Sequence, residues 1–448
     1  MLLRNWFTEK IILPGSDLLL SQNISKQLNF LIESQWWSEN KLQEFQNERL
    51  KLLINHAYEN VPYYNEVFNK LKLIPADIKT QEDLQKLPII TKDEIRGNVE
   101  KMKARNFPKK EIVPTFSSGS TGEPLQYFVT KESEGFKIAN SLRGWYWMGY
   151  RLGDKYIKVS VMPRKTLNKK IQDFISNCYF VDSTGVTEED VKQIISKIKV
   201  IRPKVLRGYP STISLVADYI IEENISDIKV NIVATTGENH FPEMRAKIIK
   251  AFDCQVYDYY GGEGGAGIIE CPTHNFYHVT NEYAITELLS EDGDIVKKGR
   301  GEVITTDLWN FAFPLIRYNI KDNISISGNK CPCGRGLSTV DKIEGRDVDI
   351  LVMPSGKRLI VHFFTGYFQK LPSIKQFQVI HTSIDKITLK LIVTARYDKK
   401  IEKKIFEDVQ KYVGEDVKLV IKIVENIPLT KAGKRRFVLR AFEYTEKK

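Results

Sequence analysis

Between an apolar lead-in at Ile112 and Val113 and a strand-like Leu125-Gln126-Tyr127-Phe128-Val129, the chain carries Phe116-Ser117-Ser118-Gly119-Ser120-Thr121-Gly122-Glu123-Pro124. Three serines, one threonine and two glycines fill positions 117 to 122 before Pro124 ends the run. Hydroxyls can donate to anionic oxygens, and glycines let backbone N–H groups turn inward around a phosphate. No lysine follows, so this is not the P-loop pattern G-x-x-x-x-G-K-[ST]. A flexible Ser/Gly linker has a similar composition. The apolar segments on both sides instead predict strand–loop–strand, with the loop gripping a phosphate.

From about 110 to 260, short apolar runs alternate with helix-like segments: Tyr156–Val161, Glu188–Ile198, Val205–Gly208, Thr212–Ile221 and Ile232–Ala234. That alternation predicts an α/β sheet with helices on its faces. Upstream, residues 25–70 show helical spacing in Leu28, Leu31 and Ile32, then in Leu50, Leu53, Ile54 and Ala57, with Pro62 ending the pattern. Residues 283–328 read as strand-rich, with turns at Asp292-Gly293 and Gly299-Arg300-Gly301. A boundary falls near Gly345-Arg346-Asp347. Beyond it, Phe377–Thr382, Lys386–Val393, Lys399–Val413 and Val417–Val424 predict β-β-α-β, a small α+β domain. The expected division is 1–346 and 347–448.

At 448 residues, two or three domains are expected. No apolar run approaches the roughly 20 residues that cross a bilayer. Residues 1–15 mix Arg4, Glu9 and Lys10 into a weakly apolar stretch without a signal-peptide core. The expected location is cytoplasmic. Of the net charge of +11, a surplus of 7 lies in 385–448, where 17 Lys/Arg face 10 Asp/Glu. A polyanionic ligand or a solvated Lys-rich surface both fit. No helix–turn–helix, RNP or zinc-finger spacing supports nucleic acid. Five cysteines in such a chain do not predict disulfides. Cys178 and Cys254 stand alone as small core residues.

Ser-Ser-Gly-Ser-Thr-Gly-x-Pro resembles the phosphate loop of the adenylate-forming superfamily, and within it the phenylacetate–CoA ligase branch with its CapK-type proteins of surface-polysaccharide clusters. His56-Ala57-Tyr58-Glu59-Asn60-Val61-Pro62-Tyr63-Tyr64 and Leu87-Pro88-Ile89-Ile90-Thr91-Lys92 resemble that branch's N-terminal landmarks. The resemblance runs from about 45 to 440. It implies a large N-terminal domain of mixed sheets flanked by helices, with a small β subdomain, and a small mobile α+β C-terminal domain.

The resemblance also implies a nucleotide site. Ser117, Ser118, Gly119, Ser120, Thr121 and Gly122 would hold ATP phosphates, and Thr236-Gly237-Glu238 would line the adenine pocket. In Tyr257-Asp258-Tyr259-Tyr260-Gly261-Gly262-Glu263, Tyr259 takes the place of the adenine-stacking aromatic and Glu263 that of the magnesium ligand. Tyr260 replaces the usual Gly there, and Gly262 the usual Ser/Thr. Arg317-Tyr318-Asn319-Ile320-Lys321-Asp322 resembles Arg-Tyr-x-x-x-Asp, whose Asp accepts both ribose hydroxyls; Ile320-Lys321 departs from the usual Thr-Gly. Gly345-Arg346 matches the hinge Gly-Arg, with Arg346 reaching the ribose. Pro428-Leu429-Thr430-Lys431-Ala432-Gly433-Lys434 resembles Pro-x-Thr-x-x-Gly-Lys, whose Lys supports adenylation. Gly262-Glu263-Gly264-Gly265-Ala266-Gly267 also fits the dinucleotide motif G-x-G-x-x-G, but that motif needs a helix to start there, and Pro272 leaves little room for one.

Cys331-Pro332-Cys333-Gly334 is a tight thiol pair, with Cys271, His274 and His278 upstream. Three thiolates and one imidazole make a tetrahedral zinc set with no open position. Reduced structural cysteines are the alternative. Aligned on Glu270-Cys271-Pro272, His278 matches the branch's histidine better than His274.

The expected function is ATP- and Mg2+-dependent adenylation of a carboxylic acid, followed by transfer to CoA, with a structural Zn2+. An amine or sugar acceptor in a polysaccharide pathway is the alternative, and a non-catalytic nucleotide-binding scaffold a second. Trp145 to Tyr150, Arg207 to Pro210 and the 234–239 turn are candidates for the acyl pocket, where aromatic content fits a flat acid or core packing. A homodimer is compatible with the sequence.

Overall fold

In a computed structural model the protein is described over residues 2–116, 125–160, 167–182, 188–261, 264–265, 267–345, 350–355, 358–360, 364, 367–368, 371–428 and 436–442. The helical pattern at the N-terminus is broken into three rods, Ile24–Ser34, Glu39–Asn60 and Pro62–Leu71. Ser38 caps the second, its side chain accepting from the Lys41 N–H at 3.3 Å. Pro62 both ends that helix and starts the next. It forces Val61 into an extended conformation (φ −112°, ψ 107°) and then occupies the first turn, where its missing N–H costs nothing.

The largest sheet has eight strands, in the spatial order Thr339–Val340, Tyr277–Val279, Gly267–Glu270, Gln255–Gly261, Ile232–Thr236, Val205–Gly208, Tyr156–Ser160 and Cys178–Asp182. The last five are parallel to one another, and the first three join by antiparallel pairing. Successive residues point to opposite faces, so Val233 and Val256 pack under the helices Glu188–Ile201, Pro210–Glu222 and Pro242–Phe252. Ile232, Ala234 and Tyr257 face the opposite way, onto Trp145 at the end of Lys131–Trp147. Cys178 is buried at the sheet edge and Cys254 packs against the apolar core, as expected of small core residues. Among the described residues no helix is long and apolar enough to cross a membrane.

A second, antiparallel sheet orders Ile295–Val296, Ala284–Leu289, Gly299–Asp307, Tyr318–Ile326 and Lys342–Gly345. Here the structure corrects the sequence reading. Gly299-Arg300-Gly301 is no turn but the start of a strand, paired opposite Ile326, Ser325 and Ile324. Gly301 is required by close approach, since a Cβ there would sit 2.4 Å from the Leu289 carbonyl oxygen.

The C-terminal residues form a four-stranded sheet, Lys418–Ile423, Lys386–Val393, Ile374–Ser383 and Val438–Arg440, packed with the helix Lys399–Val413. The predicted β-β-α-β is present. Val438–Arg440 is an added strand, parallel to Val379–His381, that three residues carry too little periodicity to announce. This unit's core includes Phe241 and Met244 from the start of the helix Pro242–Phe252, and Phe437 meets Phe241 at 6.1 Å between ring centroids.

Candidate functional site

The strands Ile112–Phe116 and Gln126–Thr130 pair antiparallel, so the two flanks of the serine-rich loop are brought together as predicted. The loop residues Ser117 to Gly122 lie outside the described residues, as do Glu263, Arg346 and Lys434. Gly264 and Gly265, directly after Glu263, have φ of +69° and +85°. The Gly264 carbonyl accepts from Thr305 Oγ1 at 2.7 Å, pinning the segment to the five-stranded sheet. Residues Gly267–Glu270 form a strand, so no helix starts where the dinucleotide motif requires one.

The described candidates meet at the carboxyl ends of parallel strands, where open α/β sheets place their ligand crevices. Thr236 ends its strand opposite Tyr259, and its hydroxyl donates to the Tyr259 carbonyl at 2.8 Å. The next residue of that second strand, Tyr260, donates from its hydroxyl to Asp322 Oδ2 at 2.5 Å. Asn323 pairs opposite Gly345 in the second sheet. Gly345, with φ of +81°, returns to the first segment: a Cβ on it would lie 2.6 Å from Asn239 Nδ2, which donates to the Glu344 carbonyl at 3.5 Å. These contacts close a ring through 236–239, 259–260, 322–323 and 344–345. Tyr259 contributes a hydroxyl 3.2 Å from Ser141 Oγ, and its ring lies under Gly261, 3.0 Å from where a Cβ would be.

Three residues in or near this ring have structural partners. Glu238 Oε2 accepts from the Ser211 N–H at 3.2 Å, in the first turn of the helix Pro210–Glu222. Arg317 is buried in a bidentate pair with Glu287, at 3.0 and 2.9 Å, and donates to the Leu87 carbonyl at 2.6 Å. Trp145 packs edge-on against Tyr150 and Tyr156 at 4.8 and 5.0 Å, which makes it core.

Cys271, His278, Cys331 and Cys333 come together with their ligand atoms all within 4.8 Å of one another. The Cys331 and Cys271 sulfurs are 3.5 Å apart, and Cys333 Sγ is 3.3 Å from His278 Nε2. A tetrahedral site with metal–sulfur bonds of 2.3 Å has edges of about 3.8 Å, so the donor set fits zinc with little adjustment. His278 Nδ1 lies 3.4 Å from the Leu337 carbonyl, a contact that orients the ring and presents Nε2 to the site. Burial holds its imidazole down at about 4, in the neutral form that a metal needs. His274 is excluded from the set. Its Nδ1 is bound to Glu270 Oε1 at 2.9 Å and its ring lies on Tyr257.

Glu270 also accepts from Arg245 Nη2 at 2.7 Å and from the Asp258 N–H at 2.6 Å, forming a buried polar network under the ring that sequence reasoning missed. Burial acts to raise Glu270, but His274 and Arg245 outweigh it and hold the carboxyl below its ordinary range. Asp258 goes the other way, pushed up to about 7 by burial and by the Glu270 charge. Between about pH 4 and pH 7 the native state therefore keeps a proton that the unfolded chain has lost. The stability from that proton is complete below this window and gone above it. Asp258→Asn should accordingly gain stability relative to wild type as the pH rises from about 4 to about 7, measured by urea denaturation. A difference independent of pH contradicts the assignment.

Residues 351–441 match the family model described as CapK C-terminal domain. The chain is 27% identical over 416 residues to Protein CapK of Staphylococcus aureus, covering 89% of each. It is 27% identical over 333 residues to a phenylacetate-coenzyme A ligase of Pseudomonas putida, covering 70% of this chain and 73% of that protein. Among solved structures it is similar to 2-hydroxyisobutyryl-CoA ligase in the postadenylation state, with a TM-score of 0.71 at 18% identity over 88% of both chains. The same enzyme in its thioesterification state gives 0.60 over 90% of both. The family resemblance read from the sequence holds: the chain has the fold of the adenylate-forming ligases and is a homologue of the CapK and phenylacetate–CoA ligase proteins.

Proposed function

We propose that the protein is an AMP-forming acid ligase that converts a carboxylic acid and ATP to an acyl-adenylate and pyrophosphate, then passes the acyl group to an acceptor. The observation that carries this reading is the ring of contacts joining Thr236, Tyr259, Tyr260, Asp322 and Gly345 across two sheets. Segments 86 residues apart, from Thr236 to Asp322, are brought together at the carboxyl ends of parallel strands, where open α/β sheets bind their ligands.

Tyr259 and the 236–238 turn flank the adenine, Arg346 reaches the ribose, and the serine-rich loop holds the phosphates. A carboxylate has about four lone-pair sites, more than the Tyr260 bond uses, so Asp322 can accept from both ribose hydroxyls. Magnesium on Glu263 would offset phosphate charge. The acid's carboxylate oxygen attacks the α-phosphorus and pyrophosphate leaves. Lys434 stabilises the charge that builds on the shared oxygens. In the second step the acceptor's nucleophilic atom attacks the acyl carbonyl, the bond to the bridging oxygen breaks, and AMP leaves with that oxygen. The division into 1–346 and 347–448 lets the C-terminal unit turn between the steps. The Cys/His set would hold zinc in a structural role. The cytoplasm, which supplies ATP and CoA, is the fitting compartment.

CoA is the first candidate acceptor, since several relatives are named as CoA ligases. An amine or sugar hydroxyl is the second reading, kept because residues 351–441 match the family model described as CapK C-terminal domain. Pyrophosphate release measured with ATP and magnesium over aryl, fatty, amino and hydroxy acids, with and without CoA, tests the reading. Acid-dependent release is expected; its absence throughout the panel overturns it.

The nucleotide assignment predicts a separation of binding from catalysis. Asp322→Ala removes hydrogen bonds to a charged acceptor, each worth about 1.5–3 kcal/mol, so ATP should bind roughly tenfold more weakly or worse. Glu263→Gln should bind ATP nearly as well and lose its response to magnesium. Calorimetric titration reads both. Unchanged affinity in the first variant, or full activity in the second, contradicts the placement.

A further inference from the structure

A cleft of about 960 Å³ opens between the start of the helix Glu39–Asn60, the second sheet and the 328–339 segment that carries Cys331. It shares no residue with the ring of contacts described above. Trp36 lines it and is 55% exposed, a large aromatic surface left open beside a cavity. Arg335 lies over the Trp36 ring at 4.8 Å and over Trp147 at 4.3 Å, and its Nε donates to Gln35 Oε1 at 3.2 Å. Arg335 thus braces the indole from within the fold.

Arg335 lines the cleft as well, its guanidinium taken up by the two indole rings and Gln35, and the other charges of the cleft cancel in pairs. Lys330 pairs with Glu39 at 3.0 Å, Lys297 with Glu82 at 3.8 Å, and Glu287 with Arg317 at 2.9 Å. Besides Arg335, the Cys331 thiol and the indoles, the polar lining is carboxamide and hydroxyl, with Asn40, Gln43 and Gln85 exposed at its edge. A neutral carboxamide offers two donors and an acceptor on one planar group. This set matches a ligand whose rim both donates and accepts hydrogen bonds and whose face is apolar. The C–H face of a pyranose is such a surface, and the electron-rich face of an indole attracts it. An anion finds no unpaired lysine here, and a purely apolar ligand would strand the amides.

We propose that this cleft binds a neutral saccharide, stacked on Trp36 and hydrogen-bonded by Asn40, Gln43 and Gln85. The site adds a carbohydrate-recognition surface to the chain that does not depend on the reading of the nucleotide site.

The test is tryptophan fluorescence and saturation-transfer NMR on the full chain. The probes are glucose, galactose, rhamnose and N-acetylglucosamine, with glucuronate and octanoate as charged and apolar controls. At least one neutral sugar should half-saturate below about 20 mM and bind better than either control. Trp36→Ala should weaken it at least roughly fivefold with an unchanged circular dichroism spectrum. Gln43→Ala/Gln85→Ala, at exposed positions that do not threaten folding, should weaken it as well. N-acetylchitotriose against the monosaccharide separates a glycan end from a free sugar. Failure of all four sugars, preference for glucuronate or octanoate, or full binding in Trp36→Ala overturns the proposal.

Discussion

Lys434→Ala should reduce acid-dependent pyrophosphate release on the order of 10²–10³-fold while leaving transfer from a pre-formed acyl-adenylate nearly intact. That magnitude is what one preorganised charge or donor contributes to a developing transition state. Lys434 itself lies outside the described residues. Lys434 stands three residues before Phe437, whose ring lies against Phe241 at 6.1 Å, and Phe241 ends the turn that begins at Thr236. The cation acts where negative charge accumulates, on the attacking carboxylate and the α-phosphate. The second step discharges that charge into departing AMP and has less need of it. Separate assays of the two half-reactions decide the point. Equal loss in both contradicts an adenylation-specific role, and a generic basic tail would change neither.

Untreated protein should contain about one zinc per chain, and replacing Cys331 or Cys333 with serine should remove it together with much of the local stability. The four donors tie three separate segments: Cys271 follows the strand Gly267–Glu270, His278 lies in Tyr277–Val279, and Cys331 with Cys333 sits on the turn before Thr339–Val340. A bound metal links them by bonds that the unfolded chain lacks, so its binding energy becomes folding energy. Loss of one thiolate should lower Tm by roughly 5–10 °C. Elemental analysis and thermal unfolding of the same samples measure both effects. Metal-free protein with an unchanged Tm in the serine variants would leave the cysteines as packed thiols.

The candidate site is legible in the sequence where its parts are local motifs whose chemistry is written in residue type. The serine-rich loop announced itself through hydroxyls and glycines between two apolar runs, and those runs do pair. The cysteine pair, which a C-x-C turn brings together whatever surrounds it, lies beside Cys271 and His278, while His274 turns to Glu270. Other features arise only from tertiary contact. Nothing in Tyr260, a departure from the family pattern, shows that its hydroxyl meets Asp322 in another sheet. Glu238 fits an adenine turn by sequence, yet its carboxylate also satisfies an orphan N–H at the start of a helix. Trp145 has the composition of a flat-ligand pocket and the burial of core. Asp258 and Glu270 lie 12 residues apart without a spacing rule, and only the antiparallel return of the strand places them together. An acidic residue directly before Cys271 was the one available signal.

The measurement that bears most directly on the central claim is the fate of carboxylate oxygen. An acid that turns over is supplied with both carboxylate oxygens as ¹⁸O, together with ATP, magnesium and acceptor, and the products are examined by mass spectrometry. Attack on the α-phosphorus makes one carboxylate oxygen the bridge of the acyl-adenylate, and cleavage at the acyl carbon sends it out with the nucleotide. The account predicts AMP carrying one ¹⁸O and unlabelled pyrophosphate. Label in inorganic phosphate with ADP as the nucleotide product would mean activation at the γ-phosphorus, and would contradict it.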